Sequence, residues 1–259
     1  MKLLLAIALL LSPYFEQITE KNPSFQFPET DALASHLLNL IEAGQINDNG
    51  HLFKAEDLYI GRVDHVINLE KGITYIEYQT KVNCGVEYNS EEPDPDSPSY
   101  YLALSIGLDQ QGQMDWTAPS LSTENCGDET KTFNNDHISI KPEIPFKPDF
   151  TLLNNQADMI KNIIHKLITD KKISQYGHIF TEDEVTIHTI SMVEYIEHNH
   201  NLIKVIMIPK CDIKLQVLDD HESSMSQLYI RLSANGDFEK AYSFFGAGSD
   251  VACKNPNKT

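Results

Sequence analysis

Apolar residues recur at helical spacing in two places, and each place is followed by segments in which apolar and polar residues alternate. The spacing predicts helices over about 31–43 and 156–169. The alternation predicts four antiparallel strands after each helix. The first set covers about 58–66, 73–82, 100–108 and 114–121, and the second covers about 185–195, 202–209, 227–233 and 239–245.

The two sets are related by a shift of 127 positions. Gly50-His51-Leu52-Phe53 returns as Gly177-His178-Ile179-Phe180, and the shift superimposes the four cysteines in pairs. The apolar helix positions also coincide: Leu33, Leu37, Leu40 and Ile41 fall on Ile160, Ile164, Leu167 and Ile168. A period of this length is too long for a solenoid repeat and matches the size of a whole domain. We therefore expect a signal segment over 1–12, repeat one over 13–126, a linker over 127–150 and repeat two over 151–259.

One helix followed by four antiparallel strands predicts an α+β fold, with one helix packed on a four-stranded sheet in each repeat. The order of helix, Gly-aromatic-Leu-Phe-like segment, strand, turn and strands ending in cysteine resembles the cystatin superfamily. The tandem arrangement is most similar to its fetuin and histidine-rich-glycoprotein branch. The resemblance implies two tandem cystatin-like domains whose hairpins could bind a protease.

The inhibitory motifs of that superfamily are missing from this sequence. The first hairpins, 66–72 and 193–199, lack the Gln-Val-Val-Ala-Gly-like pattern, and the second hairpins, 109–113 and 234–237, lack Pro-Trp. No inhibitory residue is carried over, and Trp116 is expected in the core. The hairpin residues that remain candidates for partner binding are Leu69, Glu70, Lys71, Gly72, Tyr195, Glu197, His198 and Asn199.

The formal net charge of −18, from 20 basic and 38 acidic residues, argues against nucleic-acid binding, which depends on clustered Lys and Arg. The charge favours either solubility through self-repulsion or affinity for cations or a basic partner. Two acidic loops, 91–96 and 219–222, could hold calcium or a mineral face through oxygen ligands.

The start of the chain has the form of a secretory signal. Lys2 is followed by an apolar run over 3–11 that is too short to span a bilayer. A buried N-terminal strand or helix is the alternative. No second apolar run approaches membrane-spanning length, so we expect a secreted protein that is not an integral membrane protein.

Four cysteines suit an extracytoplasmic compartment, where disulfides persist. They allow three connectivities. The duplication favours Cys84 with Cys126 and Cys211 with Cys253, because each repeat then closes its own bridge. Each bridge would contribute roughly 4 kcal/mol in the chain-entropy model. Free thiols or a catalytic cysteine are the competing interpretation.

Candidate chemistry is sparse. His198 and His200 place two imidazoles in a predicted turn, where they could bind a metal or simply be polar turn residues. The sequence contains none of the common hydrolase, metalloprotease, phosphate-binding or redox motifs. We expect no enzymatic activity and no cofactor.

The sequence therefore predicts a secreted, non-enzymatic binding protein whose partner is a protease or another extracellular protein. One alternative is a small-molecule-binding or catalytic cone fold of the ketosteroid-isomerase type, which an open pocket inside the sheet would favour. Another alternative is an acidic protein that binds calcium or mineral.

Overall fold

The computed structural model describes residues 25–28, 30–88, 98–123, 133–136, 138, 149–196, 198, 200–209, 213–218 and 221–245. Within this part of the chain there are two helices, α1 (Thr30–Glu42) and α2 (Thr151–Thr169). Both lie where the apolar spacing predicts them, although α2 begins several residues earlier. Their apolar faces point into the two hydrophobic cores.

The strands follow the helices in two matching series. The first series is β1 (Asn47–Asp48), β2 (His51–Leu52), β3 (Leu58–Asn68), β4 (Ile73–Val82), β5 (Tyr100–Leu108) and β6 (Met114–Ser122). The second series is β7 (Ser174–Gln175), β8 (His178–Ile179), β9 (Val185–Tyr195), β10 (His200–Pro209), β11 (Lys214–Leu218), β12 (His221–Ser233) and β13 (Phe238–Phe245). The repeated Gly-His-x-Phe segments form the small β1–β2 and β7–β8 ladders.

The predicted architecture of two separate helix-on-four-strand domains is wrong. The strands form one nine-stranded antiparallel sheet in the order β11-β12-β10-β9-β3-β4-β5-β6, with β13 beside β12. The two series join because β3 and β9 would otherwise each be an edge strand with unpaired backbone groups. Pairing them satisfies both edges, so the described residues form a mostly β structure around one large sheet.

The β3–β9 junction has an approximate two-fold symmetry. His65 lies opposite Met192, and these residues are equivalent in the repeat because they are 127 positions apart. The pairing runs symmetrically from this centre to Arg62 opposite Tyr195 and to Asn68 opposite Thr189. Each repeat therefore presents the same stretch of strand to the other.

Backbone hydrogen bonds extend this symmetry beyond the strand pairing. The N–H of Leu69 donates to the carbonyl of His188 at 2.8 Å, and the N–H of Ile196 donates to the carbonyl of Gly61 at 3.0 Å. The shift of 127 converts the first bond into the second. The residue that follows each long strand is thus tied to the other repeat.

Each hydrophobic core contains side chains from both repeats. The core around α2 includes Phe25 and Ile67 from the first repeat. The core around α1 includes Phe150, and Ile196 packs against it. The arm before α1 is held on the second repeat by its backbone, since Phe25 donates its N–H to the carbonyl of Ala234. At the junction, side chains of each repeat therefore pack against the core of the other.

Charged groups on the face away from the helices also link the two repeats. Asp64 is fully buried, with Arg62 Nε 2.8 Å from its Oδ1 and Lys204 Nζ 3.1 Å from its Oδ2. Burial would lower the pKa of Arg62, but Asp64 and other neighbours outweigh this effect and raise it. Burial and the charge of Asp64 raise the pKa of Glu77. Glu77 and Lys204 occupy equivalent positions in the two repeats. Because the second repeat has a lysine where the first has a glutamate, it can place a cation beside Asp64.

His65 occupies the centre of the junction on the helix side. It is buried, and neither ring nitrogen has a hydrogen-bond partner among the described residues. Its ring centroid lies 5.7 Å from that of Phe150. Burial disfavours the imidazolium and lowers the pKa of His65 to about 4, although the charge of Asp149 opposes the shift.

The exchanged arm generates a first prediction. Phe25→Ala should lower the free energy of unfolding by about 3 kcal/mol, because it empties a buried aromatic site. Hydrogen exchange should show the largest loss of amide protection around α2 and β12, in the repeat that does not contain Phe25. Leu102→Ala, at a position that is 45% exposed, is the control and should change stability little. Loss of amide protection confined to α1 would contradict the packing of Phe25 in the core of the second repeat.

His65 generates a second prediction. Because its pKa is lower in the folded protein than in the unfolded chain, the unfolded chain binds more protons below about pH 6.5, and stability falls as the pH drops. His65→Met, which copies Met192, should remove about 2 kcal/mol of the stability loss between pH 7 and pH 5 in urea titrations.

Subtracting the pH dependence of the unfolding free energy of His65→Met from that of wild type separates the contribution of His65 from that of Glu194. Burial and the charge of Asp31 raise the pKa of Glu194 to about 7, so this carboxylate changes stability with the opposite sign. Identical pH profiles for the two proteins would show that His65 does not report on the junction.

Candidate functional site

The predicted binding hairpins lie at opposite ends of the sheet. The β3–β4 hairpin, 69–72, lies beside the β5–β6 hairpin, 109–113, at one end. The β9–β10 hairpin, 196–199, and the β12–β13 hairpin, 234–237, lie at the other end, because β9 runs antiparallel to β3. The structure therefore does not bring all the predicted hairpin residues into one surface.

In the β3–β4 hairpin, the four predicted residues have different roles. Leu69 packs against the core around α2. The carboxylate of Glu70 lies 3.0 Å from His188 Nδ1 in the second repeat. Lys71 and Gly72 form the exposed tip, where Gly72 has a φ of +63°. Leu69 and Glu70 thus belong to the repeat junction, while Lys71 is accessible to a partner.

In the β9–β10 hairpin, the ring of Tyr195 lies 5.8 Å from Arg62 Cζ and 6.1 Å from the His200 ring. His198 is exposed, and Glu197 and Asn199 lie outside the described residues. His200 Nε2 is 2.9 Å from Arg231 Nη2. A guanidinium so close would oppose a metal cation at that nitrogen. Among the residues that the structure describes, no group of three or more His, Cys, Asp or Glu could hold a metal ion.

Several other predicted features fall wholly or partly outside the described residues. These are the signal segment 1–12, the loop 91–96, Asp219 and Asp220 of the second acidic loop, and Cys126, Cys211 and Cys253. Cys84 is described and is not a free thiol. Val82 on β4 and Ser122 on β6, which precede Cys84 and Cys126, lie at the same end of the sheet with β5 between them. This placement agrees with the predicted bridge, which stays a prediction.

A groove of about 410 Å³ lies between the two hairpins of the first repeat. Two contacts shape it: Gln110 Nε2 donates to Thr74 Oγ1 at 3.2 Å, and Asp109 Oδ1 accepts the backbone N–H groups of Gln111 and Gln113. The residues that line the groove are Asn68, Lys71, Ile73, Thr74, Tyr75, Asp109, Gln110, Gln111, Asp115 and Trp116.

The expected core position of Trp116 is wrong, because its indole lies half-buried on the outer face of the sheet. Gly107, directly opposite on β5, makes this possible: a Cβ there would lie 2.1 Å from Trp116 Nε1. The Tyr75 ring meets the indole edge-on at 6.2 Å. Burial, with the charges of Glu77 and Asp64, raises the pKa of Tyr75 to about 12, so its hydroxyl stays protonated at neutral pH. An isolated glycine inside a strand pattern was the available signal for this contact.

Side chains pack the interface between each helix and the sheet. Tyr78, which is fully buried, donates its hydroxyl to the carbonyl of Leu33 at 2.9 Å in the first core. Ile164, Ile203 and Met207 are fully buried in the second core.

Comparisons with protein-family models, curated proteins and solved structures find no match for this chain. The resemblance to the cystatin superfamily therefore stays a prediction. No helix in the described ranges is long and apolar enough to cross a membrane.

The contact between Gly107 and Trp116 generates a third prediction. Gly107→Ala should force the indole off the sheet and destabilise the protein by about 1–3 kcal/mol. Trp116 is the only tryptophan of the chain, so its emission should shift to the red as it enters water. Gly61→Ala is the matched strand control, since a Cβ there meets its nearest atom at an ordinary 3.7 Å. Unchanged emission in Gly107→Ala would contradict the close contact.

Proposed function

We propose that this protein is a non-enzymatic binding protein that acts outside the cytosol and binds a basic segment of a partner protein in the Trp116 groove. The observation that carries the proposal is the half-buried indole on the outer face of the sheet, which contacts Gly107 and lies in a groove that Asp109 and Asp115 also line. Tryptophan residues at such positions supply much of the energy of protein interfaces.

A basic side chain fits the chemistry of the groove. Guanidinium and ammonium groups are attracted to the face of an indole. Asp115 is exposed beside Trp116, and the net charge of −18 would attract a cationic partner over a longer range. Lys71 at the hairpin tip opposes this preference locally, so its removal should strengthen binding.

A protease is one form of this partner. The side-by-side placement of the β3–β4 and β5–β6 hairpins supports that form, since a protease inhibitor needs adjacent loops that enter a cleft. The N–H of Phe25 donates to the carbonyl of Ala234, so this part of the chain before α1 lies at the other end of the sheet.

A fourth prediction tests the basic-segment proposal. Short tryptophan-free peptides containing arginine should quench Trp116 emission, and matched glutamate peptides should not. Asp115→Asn should weaken binding about fivefold, because it removes a surface ion pair of about 1 kcal/mol. Lys71→Ala should strengthen binding, and added salt should weaken it. Equal binding of arginine and glutamate peptides would refute the proposal.

Residual activity of papain-like proteases, titrated with the oxidised protein, tests the protease form. Stoichiometric inhibition that is lost in Trp116→Ala would place the protease in the groove. Full protease activity at all ratios would exclude papain-like proteases as the partner and leave the peptide result to stand on its own.

A further inference from the structure

A second groove lies beside α2, on the helix side of the sheet in the second repeat. Its volume is about 310 Å³. Its floor is apolar and includes Ile168, Ile187 and Met207, while His165 and Glu182 form its rim. Neither the Trp116 groove nor the four hairpins contribute to it, apart from Leu69 at one end.

The equivalent place in the first repeat shows what such a groove accommodates. Residues 133–136 and 138 lie there and, together with Leu38 and Ala55, line a pocket. The Asn135 side chain accepts the N–H of Ile60 at 3.0 Å and donates to the carbonyl of Leu58 at 2.7 Å. A turn closed by the Ile138 N–H on the Asn135 carbonyl then places Ile138 in the core. The Asn135 side chain therefore hydrogen-bonds to the edge of β3 that faces away from β4.

The second repeat presents the same backbone groups. Ile60 lies opposite Thr80, and Ile187 lies opposite Met207 in the equivalent register. Because the Ile60 N–H points away from β4 towards Asn135, the Ile187 N–H points away from β10. The pairing of β3 with β9 reaches only Thr189, so β3 does not cover this part of β9. Within the described ranges, no other strand pairs with this edge of β9 at Val185 and Ile187.

We propose that the groove beside α2 binds an extended polypeptide segment of a partner protein, whose asparagine side chain pairs with the Ile187 N–H and the Val185 carbonyl. An unpaired strand edge is a common site for peptide addition, with side-chain pockets providing specificity. This site is independent of the proposed function of the Trp116 groove, and either can fail without the other.

The residues at the rim of the groove indicate which side chain the partner should carry three positions after its asparagine. Leu38 and Ala55, beside Ile138, correspond in the repeat to His165 and Glu182. His165 Nδ1 lies 3.0 Å from Glu182 Oε1, and this bond comes first among the causes that lower the pKa of Glu182. The partner should therefore carry a basic residue three positions after its asparagine, where the first repeat has isoleucine.

The chain itself supplies the probe, a synthetic peptide of residues 131–140 with Ile138 replaced by lysine. Added to the ¹⁵N-labelled full-length protein, it should shift the Ile187 amide signal and slow its hydrogen exchange. The Asn135→Asp version of the peptide, which loses the donor to Val185, should bind at least tenfold more weakly. Perturbation of Ile60, or no perturbation of Ile187 at millimolar peptide, would overturn the proposal.

A variant that copies the first repeat tests the specificity independently. His165→Leu with Glu182→Ala gives the groove the rim of the first repeat, and both positions are exposed, so the fold should tolerate the change. This double variant should bind the peptide with native Ile138 about tenfold more tightly than wild type does, and the Ile138→Lys peptide more weakly. Unchanged affinity for both peptides would show that the rim does not contact the occupant.

Discussion

The antiparallel pairing of β3 with β9 is the interaction on which the rest of the structure depends. It joins two strand series into one sheet and ties Leu69 and Ile196 to the opposite repeat. It also places His65 on the approximate two-fold axis. Without this pairing, each repeat would expose an edge strand, and Ile67 and Ile196 would lose their contacts with the core of the opposite repeat.

The buried ion group formed by Asp64, Arg62 and Lys204 favours one register of this strand pairing. Asp64 is inaccessible to water and is bound by Arg62 and by Lys204 from the second repeat. Removal of one partner of a buried ion group leaves an uncompensated charge, which costs far more than a surface pair contributes. A slip of one residue would move Asp64 to the apolar helix side, so the ion group opposes alternative registers.

The approximate symmetry also locates the functional differences between the repeats. Equivalent backbone positions carry Glu77 in one repeat and Lys204 in the other. Asn135 pairs with the edge of β3 in the first repeat, whereas none of the described residues takes that place on β9. The antiparallel junction directs the two hairpin pairs to opposite ends of the sheet. A partner that binds at the Trp116 edge therefore leaves the other edge and the groove beside α2 free.

The sequence by itself determined most of the local elements: the two helices, eight of the nine strands of the large sheet and the equivalence of the repeats. These follow from spacings of a few residues, which the printed pattern contains. Only the tertiary structure decided that β3 pairs with β9, that Phe25 packs in the second core and that Trp116 lies over Gly107. Alternation identifies a strand and its two faces, but the hydrogen-bonding edges of every strand are chemically alike. Which edges meet depends on contacts between residues far apart in the chain, and the candidate grooves depend on those contacts in turn.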